Sequence, residues 1–441
     1  MSLTILGYSM VIAFMALIMM ERMTALIALI LVPIGFALIG GFGFTIGPMV
    51  LNGIRTITPT GILLLFAILY FGLMIDVGLF DPLVRLIVRL ANGDPVRLII
   101  GSAVLALVIS LDGDGSTTYL LCITAMLPLH RHLGINPLIL PCVTMLSNSI
   151  LNVAPWGGPT ARVMTVLKLD ASQVFLPLVP SMLMACLATV LVAWYLGVKE
   201  RKRTGLVSLP NGHSEPSALG GKVEIDPTGE VKDEKSPVLT AFNFLLTVTL
   251  MVLLVSGLVP LPLLFMVAYG IAITINFPKL SDQKECMARH AASALSVVAV
   301  IFAAGVFTGI LSGTKMTDAI AQSIIQMIPA SAGPHLPLIT ALLSAPFTFF
   351  ISNDAFYFGV VPLLAEAAKG YGIAPEVIAR ASLIGQPVHQ LSPLVAANYV
   401  LIGLAGVEFG AHQRFTLKWA FLLMFVILVV AGILGVVPIL H

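Results

Sequence analysis

The segment SLDGDGST, residues 110–117, places two aspartates among glycines between two strongly apolar runs. A carboxylate is costly at membrane depth and usually marks an ion or proton site there. Gly113 and Gly115 permit a close approach of backbone to a ligand, and the hydroxyl residues that follow can cap a helix whose first amides bind anions. The candidate cation or proton ligands are Ser110, Asp112 and Asp114, and the candidate substrate-binding residues are Gly115, Ser116 and Thr117. The alternative is a solvated loop between two short helices.

A second polar cluster interrupts the aromatic segment FFISNDAFYF, residues 349–358. Ser352 and Asn353 are candidate substrate-binding residues, and Asp354 is a candidate ligand for a cation or proton. Together with Asp112 and Asp114, Asp354 would supply the hard oxygen ligands that Mg²⁺ and Ca²⁺ prefer. The alternative is a surface turn.

The segment SNSILNVAPWGGPTAR, residues 147–162, predicts a broken helix. Pro155 interrupts the helix, the glycine pair frees the backbone, and Pro159 suits the first turn of a new helix. The guanidinium of Arg162 could bind a carboxylate through two parallel hydrogen bonds, or could instead extend to the outer surface. The substrate-binding candidates are Asn152, Gly157, Gly158, Thr160 and Arg162.

A second break is predicted in GQPVHQLSPLVAAN, residues 385–398. The substrate-binding candidates are Gln390, Ser392 and Pro393. His389 titrates near neutral pH and could carry a transported proton, or could be a buried histidine bonded within the bundle. Asp76, near the end of an apolar span, is interpreted as interfacial.

The elements that must position these residues are membrane helices. Of the 441 residues, 58% are hydrophobic and only 10% are charged, whereas a soluble domain carries about 25% charged residues. The composition predicts an all-α polytopic membrane protein. The four cysteines lack ligand spacing, and we interpret them as packing residues. The net charge of +2 gives no reason to expect a nucleic-acid partner.

The order of apolar segments divides the chain into two similar halves. Each half should contain five transmembrane helices and one re-entrant hairpin, whose arms in the first half are about 12 apolar residues each. An odd number of crossings makes the halves inverted repeats, a plan of secondary transporters. The predicted units are 1–197 (scaffold helices 1–95, hairpin and broken helix 96–197), a charged linker at 198–236, and 237–441 (scaffold helices 237–330, hairpin and broken helix 331–441).

The charge distribution predicts the orientation. With the linker in the cytoplasm, most of the 23 Lys and Arg residues fall on the inner side, as the positive-inside rule requires. Both termini should then lie outside. The first hairpin should enter from the inside and the second from the outside.

These segments resemble the ion transporter superfamily and, within it, the citrate–metal–proton symporter (CitMHS) family. The resemblance is carried by SLDGDGSTTYLL, LSNSILNVAPWGGPTAR, ISNDAFYFGVVPL and GQPVHQLSPLVAANYVL and covers nearly the whole chain. It implies a homodimeric carrier of the bacterial cytoplasmic (inner) membrane, in which a transport domain slides as an elevator against a scaffold. It also implies import of citrate as a complex with a divalent cation, Mg²⁺ or Ca²⁺, coupled to H⁺, with no permanently bound cofactor.

Other functions remain open at this stage. Carriers related to the family bind Na⁺ with Ser-Asn-Thr triplets at both tips, so a Na⁺-coupled carrier of di- or tricarboxylates is the principal alternative. The extra aspartates in this chain depart from that pattern. A channel is less favoured, because broken helices suit alternating access. An intramembrane enzyme is also less favoured, because the sequence has no GxSxG, HExxH or comparable catalytic spacing.

Overall fold

The computed structural model describes residues 2–20, 22–91, 93–113, 115–205, 237–256, 258–327, 332–350 and 353–438. Regular secondary structure within these ranges is helical, without a strand, as predicted. Two candidate site residues, Asp114 and Ser352, lie outside the described residues. Most of the predicted linker, residues 206–236, also lies outside them.

The first half runs from α1 to α10. Its helices are α1 (Leu3–Met19), α2 (Ala25–Ile39), α3 (Ile46–Asp76), α4 (Asp81–Ala91), α5 (Pro95–Ile109), α6 (Gly115–His132), α7 (Ile139–Leu151), α8 (Gly158–Leu167), the short α9 (Ala171–Val174) and α10 (Val179–Thr204). A 3₁₀ turn, Ser110–Asp112, follows α5.

The second half repeats this order. Its helices are α11 (Pro237–Ser256), α12 (Leu261–Asn276), α13 (Leu280–Gly313), α14 (Met316–Met327), α15 (Leu336–Phe350), α16 (Val361–Lys369), α17 (Pro375–Leu383), α18 (Gln386–His389), α19 (Ala396–Ala405) and α20 (Phe409–Ile433). In each half a long third helix is followed by a short helix, a helical hairpin, a broken helix and a long final helix. The short helices α4 and α14 occupy equivalent places in the two halves.

Several helices extend beyond the apolar stretches that indicate them. The third span of each half is longer than its apolar stretch, since α3 begins at Ile46 and α13 at Leu280. The arms of the first hairpin also exceed 12 residues. Asp94 caps α5 and accepts a hydrogen bond from the Val96 amide (3.0 Å), and α6 continues to His132. Hydropathy reports only the apolar part of a helix, whereas capping and packing determine where it ends.

Six helices of the described chain are long and apolar enough to cross a membrane. They are Gly43–Asp76, Pro95–Asp112, Ala171–Thr204, Pro237–Leu254, Ala294–Gly313 and Phe409–Ile433. One of them is an arm of the first hairpin, which the sequence had suggested was too short to span. A multi-pass membrane protein follows from these helices, whereas five crossings in each half remains a prediction.

Glycines bring α3 and α13 into close contact. A Cβ atom added to Gly53 would lie 2.0 Å from the Gly305 carbonyl oxygen and 2.8 Å from the Gly309 Cα. Small residues at such a crossing let two membrane helices pack backbone against backbone. The second helix of each half packs against the third helix of the other half: α2 packs on α13, and α12 packs on α3.

We expect Gly53→Ala to destabilise the fold by about 1–3 kcal/mol, because an added methyl meets backbone that cannot rotate away. Thermal unfolding of the detergent-purified protein measures the effect as a lower Tm. Gly47→Ala is the matched control on the same helix, since a Cβ there has no heavy atom within 4 Å. An unchanged Tm for Gly53→Ala would contradict the close crossing.

Candidate functional site

The tip of the first hairpin is a tight turn between α5 and α6. Gly113 has φ 77°, in the left-handed region that favours glycine. Asp112 is only 7% exposed, and its Oδ1 accepts a hydrogen bond from the Thr118 hydroxyl (3.5 Å). Ser116 and Thr117 lie in the first turn of α6.

The first break lies directly against this tip. The indole N–H of Trp156 donates to the Leu111 carbonyl oxygen (2.8 Å). A Cβ on Gly113 would meet Trp156 Cδ1 at 2.8 Å, and one on Gly115 would meet Asn148 Nδ2 at 3.0 Å. These contacts fix the turn that contains Asp112 against the broken helix.

The break itself runs from Asn152, which ends α7, to Gly157, which precedes α8. A Cβ on Gly157 would lie 1.9 Å from the Asn152 carbonyl oxygen, so only glycine fits this fold of the backbone. Thr160 ties the start of α8 to the break, because its hydroxyl donates to the Val153 carbonyl oxygen (2.7 Å). The helix α8 therefore begins directly after the break, at Gly158, and carries Arg162.

Arg162 meets the second hairpin tip. Its Nε donates to Asp354 Oδ1 at 2.6 Å, and the two side chains are 22% and 18% exposed. A Cβ on Gly158 would lie 2.7 Å from Arg162 Nη1, so the guanidinium packs over a glycine. A π-helical turn, Ala355–Val360, follows Asp354 at once, and such turns are frequent at functional sites.

The second break packs against the second hairpin. His389 is 5% exposed and bonds through Nδ1 with the Thr348 carbonyl oxygen (2.6 Å). The Ser392 hydroxyl donates to the Phe349 carbonyl oxygen (2.7 Å). The carbonyl oxygen of Pro393 accepts from the Tyr399 hydroxyl (2.9 Å). Thus each hairpin is bonded to the broken helix of its own half.

The two halves are also in contact with each other at the centre. Arg162 of the first break binds Asp354 of the second tip, and Gly115 at the first tip lies beside Ala397 of α19. His389 also lies within electrostatic range of both Arg162 and Asp354. The structure therefore brings both tips and both breaks into one region. Asp76, at the end of α3, pairs with Arg289 (3.3 Å) and His290 (3.1 Å).

Several buried polar atoms in these segments have no hydrogen-bond partner within the described part of the chain. They are Ser110 Oγ, Asn148 Oδ1, Asn353 Oδ1, Gln386 Oε1, Gln390 Oε1 and Asn398 Oδ1. A buried polar group without a partner is rare and indicates a bound water, ion or ligand. Their grouping at the tips and breaks is what a site for a polar solute requires.

Residues that were not among the candidate site residues complete the surrounding network. Asn148 donates to the Tyr119 hydroxyl (3.4 Å), and Gln386 donates to the Tyr357 hydroxyl (2.9 Å). Each pair joins a broken helix to a hairpin arm of the same half. The available signal was the presence of an amide residue in an apolar helix one turn before a break.

Comparison with known proteins identifies the family. The family model described as CitMHS, citrate transporter, matches residues 10–385. The chain belongs to this family. The "Citrate transporter" of Bacillus subtilis (strain 168) is 54% identical to it over 99% of each chain. The "Mg(2+)/citrate complex secondary transporter" of the same organism is 47% identical over 99% of each. The CitMHS resemblance inferred from the motifs is thus confirmed. The prediction that the protein is a transporter and not an enzyme is confirmed as well.

A solved transporter has the same fold as this CitMHS chain. The crystal structure of the Alcanivorax borkumensis YdaH transporter, described as having an unusual topology, aligns with TM-score 0.59 over 87% of this chain and 86% of its own. Sequence identity is 16%, so the likeness concerns the fold alone.

Proposed function

We propose that this protein is a secondary transporter that imports citrate as a complex with a divalent metal ion, coupled to H⁺. The observation that carries the proposal is the Arg162–Asp354 pair (2.6 Å) at the meeting point of a broken helix and a hairpin tip. One cation that can hold a carboxylate faces one carboxylate that can hold a metal. A metal–citrate complex needs both.

The pair suggests how an empty site stays neutral. Without substrate, Asp354 occupies the guanidinium that citrate requires. A citrate carboxylate would take the place of Asp354 on Arg162, and Asp354 would then be free to bind the metal ion of the same complex. The Arg162 guanidinium and the Asp354 carboxylate each have an opposite charge beside them before and after this exchange, which matters because an unpaired charge is costly in a partly dehydrated site.

The oxygen-rich tips favour a hard divalent cation. Asp112 is buried beside the first break, and Asp114 is two residues further on. Mg²⁺ and Ca²⁺ take carboxylate, carbonyl and amide oxygens, and a relative 47% identical to this chain is named for the Mg²⁺–citrate complex. His389 is the candidate proton carrier in this proposal, because its Nδ1–H donates to the Thr348 carbonyl oxygen and Nε2 is the ring nitrogen that would accept the proton.

An elevator mechanism with inverted repeats fits the packing. The exchanged contacts of α2 with α13 and of α12 with α3 are those expected of a pseudo-twofold axis. Cavities of about 670 and 1130 Å³ lie between predicted scaffold helices and the transport segments, the first reaching Pro155 and the second Leu111. In the proposed arrangement the protein is a homodimer in the bacterial cytoplasmic membrane, with the linker in the cytoplasm and both termini outside.

Citrate uptake into proteoliposomes tests this function. We expect radiolabelled citrate to accumulate only when Mg²⁺ or Ca²⁺ is present and a pH gradient is applied. Accumulation driven by a Na⁺ gradient without metal would instead support the sodium-coupled alternative. Counterflow from preloaded vesicles distinguishes a carrier from a channel. No uptake with any metal would overturn the proposal.

We expect Asp112→Asn to abolish the citrate uptake that depends on Mg²⁺, because an amide lacks the negative charge that binds a hard cation. The measurement is citrate uptake as a function of Mg²⁺ concentration. Asp282→Asn, at the start of α13, is the matched control and should behave like the wild type. Retention of full Mg²⁺-dependent uptake by Asp112→Asn would exclude a role in metal binding.

A further inference from the structure

Three side chains of types that ligate metals meet at the junction of α3 and α13. Asp76 Oδ2 lies 3.1 Å from His290 Nε2 and 4.0 Å from Cys286 Sγ. One ligand atom from each residue lies within 4.8 Å of the other two. This cluster is not used by the proposed transport mechanism.

The backbone presents the cluster in a fixed arrangement. Cys286 and His290 are four residues apart on α13 and share one helix face, while Asp76 is the last residue of α3. A Cβ on Gly72 would lie 2.5 Å from His290 Nδ1, so a glycine one turn before Asp76 gives the imidazole its space. The closely packed pair of helices thus holds the ligands without a flexible loop between them.

We propose that Asp76, Cys286 and His290 form a Zn²⁺ site that joins α3 to α13. Thiolate, imidazole and carboxylate are the ligands of Zn²⁺, whereas Mg²⁺ avoids sulfur. Three protein ligands leave a fourth position for water or for the buried Tyr269. The hydroxyl of Tyr269 has no hydrogen-bond partner within the described residues, and Tyr269 interacts electrostatically with Cys286.

Arg289 competes with the metal in this site. Its Nη1 lies 3.3 Å from the same Asp76 oxygen, and its side chain is 49% exposed, so it can turn out to solvent. On binding, Zn²⁺ replaces the guanidinium as the cation beside Asp76. Cys286 releases its thiol proton to water, and His290 binds through a lone pair of its neutral ring. The site is thus an ion pair without the metal and a chelate with it.

Metal binding to the detergent-purified full chain, in citrate-free buffer, tests the proposal. Co²⁺ is the spectroscopic probe, because thiolate coordination gives a sulfur-to-cobalt charge-transfer band, and metal analysis after dialysis against Zn²⁺ gives the stoichiometry. We expect one ion per chain, a higher Tm with Zn²⁺, and no displacement by excess Mg²⁺. Cys286→Ser should remove the band, and His290→Gln should weaken Zn²⁺ binding at least about tenfold.

The remaining variants separate a metal site from a simple ion pair. Cys186→Ser, in α10, is the matched cysteine control and should keep the band. Arg289→Ala should bind Zn²⁺ more tightly than the wild type, since it lacks the competing cation. Absence of the band in the wild-type protein, its persistence in Cys286→Ser, or weaker binding by Arg289→Ala would each overturn the proposal.

Discussion

Arg162→Gln is expected to lower kcat/KM for citrate uptake about 100-fold or more. Arg162 is the cation at the centre of the site, and its Nε lies 2.6 Å from Asp354. Truncating one partner of a buried, hydrogen-bonded charge pair costs about 2–5 kcal/mol, and each 1.4 kcal/mol is a factor of about ten. Uptake kinetics in proteoliposomes, normalised to the amount of folded protein, measure the effect. Arg162→Lys should be intermediate, because an ammonium cannot form two parallel bonds to a carboxylate.

Two further variants separate binding from folding. The exchange variant, Arg162→Asp with Asp354→Arg, retains an ion pair and should recover much of the thermal stability. It should not recover uptake, because the charges then face the wrong parts of a metal–citrate complex. Arg97→Gln is the control. Arg97 is 62% exposed and its Nε lies as far as 3.8 Å from Asp94, and such surface ion pairs contribute little to stability. Uptake by Arg162→Gln at the wild-type rate would contradict the proposed site.

The order of elements was predictable because membrane helices have a strong signal. Apolar stretches identified the spans, and proline and glycine identified both breaks, at Asn152–Gly157 and around Pro393. These features depend on local composition and on the backbone chemistry of single residues, which a sequence displays directly.

Helix lengths were harder to predict. The first turns of α3 contain Asn52 and Arg55, which lower the hydropathy, yet the helix continues because Gly53 packs against α13. Pro59 also lies within this helix without ending it. Tertiary contact decides such cases, and a contact between residues about 250 positions apart has no trace in local composition.

The central pairing was not predictable from spacing. Arg162 and Asp354 were each named, but as separate ligands for a carboxylate and for a metal. They are 192 positions apart, and their contact arises only when the second hairpin packs against α8. The cluster of Asp76 with Cys286 and His290 was missed for the same reason, because Asp76 appeared to be a lone carboxylate and Cys286 a packing residue.

Each half completes the other in this arrangement. The first break holds the first tip through Trp156, and it binds the second tip through Arg162. A shift in the break would therefore change both tips at once. Because the break contacts both tips, adding a single methyl group at Gly157 should have a large effect on uptake.

Gly157→Ala is accordingly expected to reduce uptake by about 100-fold, because a displacement of about 1 Å in a positioning element can cost that much. The added Cβ would lie 1.9 Å from the Asn152 carbonyl oxygen and 2.6 Å from its carbonyl carbon, so backbone must move. The first turn of α8, and with it Arg162, would shift away from Asp354. Gly35→Ala and Gly270→Ala are matched controls, since a Cβ at either has no heavy atom within 4 Å, and both should transport like the wild type. Because φ at Gly157 is −69°, alanine is excluded by space and not by backbone angle. A Gly157→Ala protein with unchanged KM and maximal rate would therefore show that the break is not folded as described.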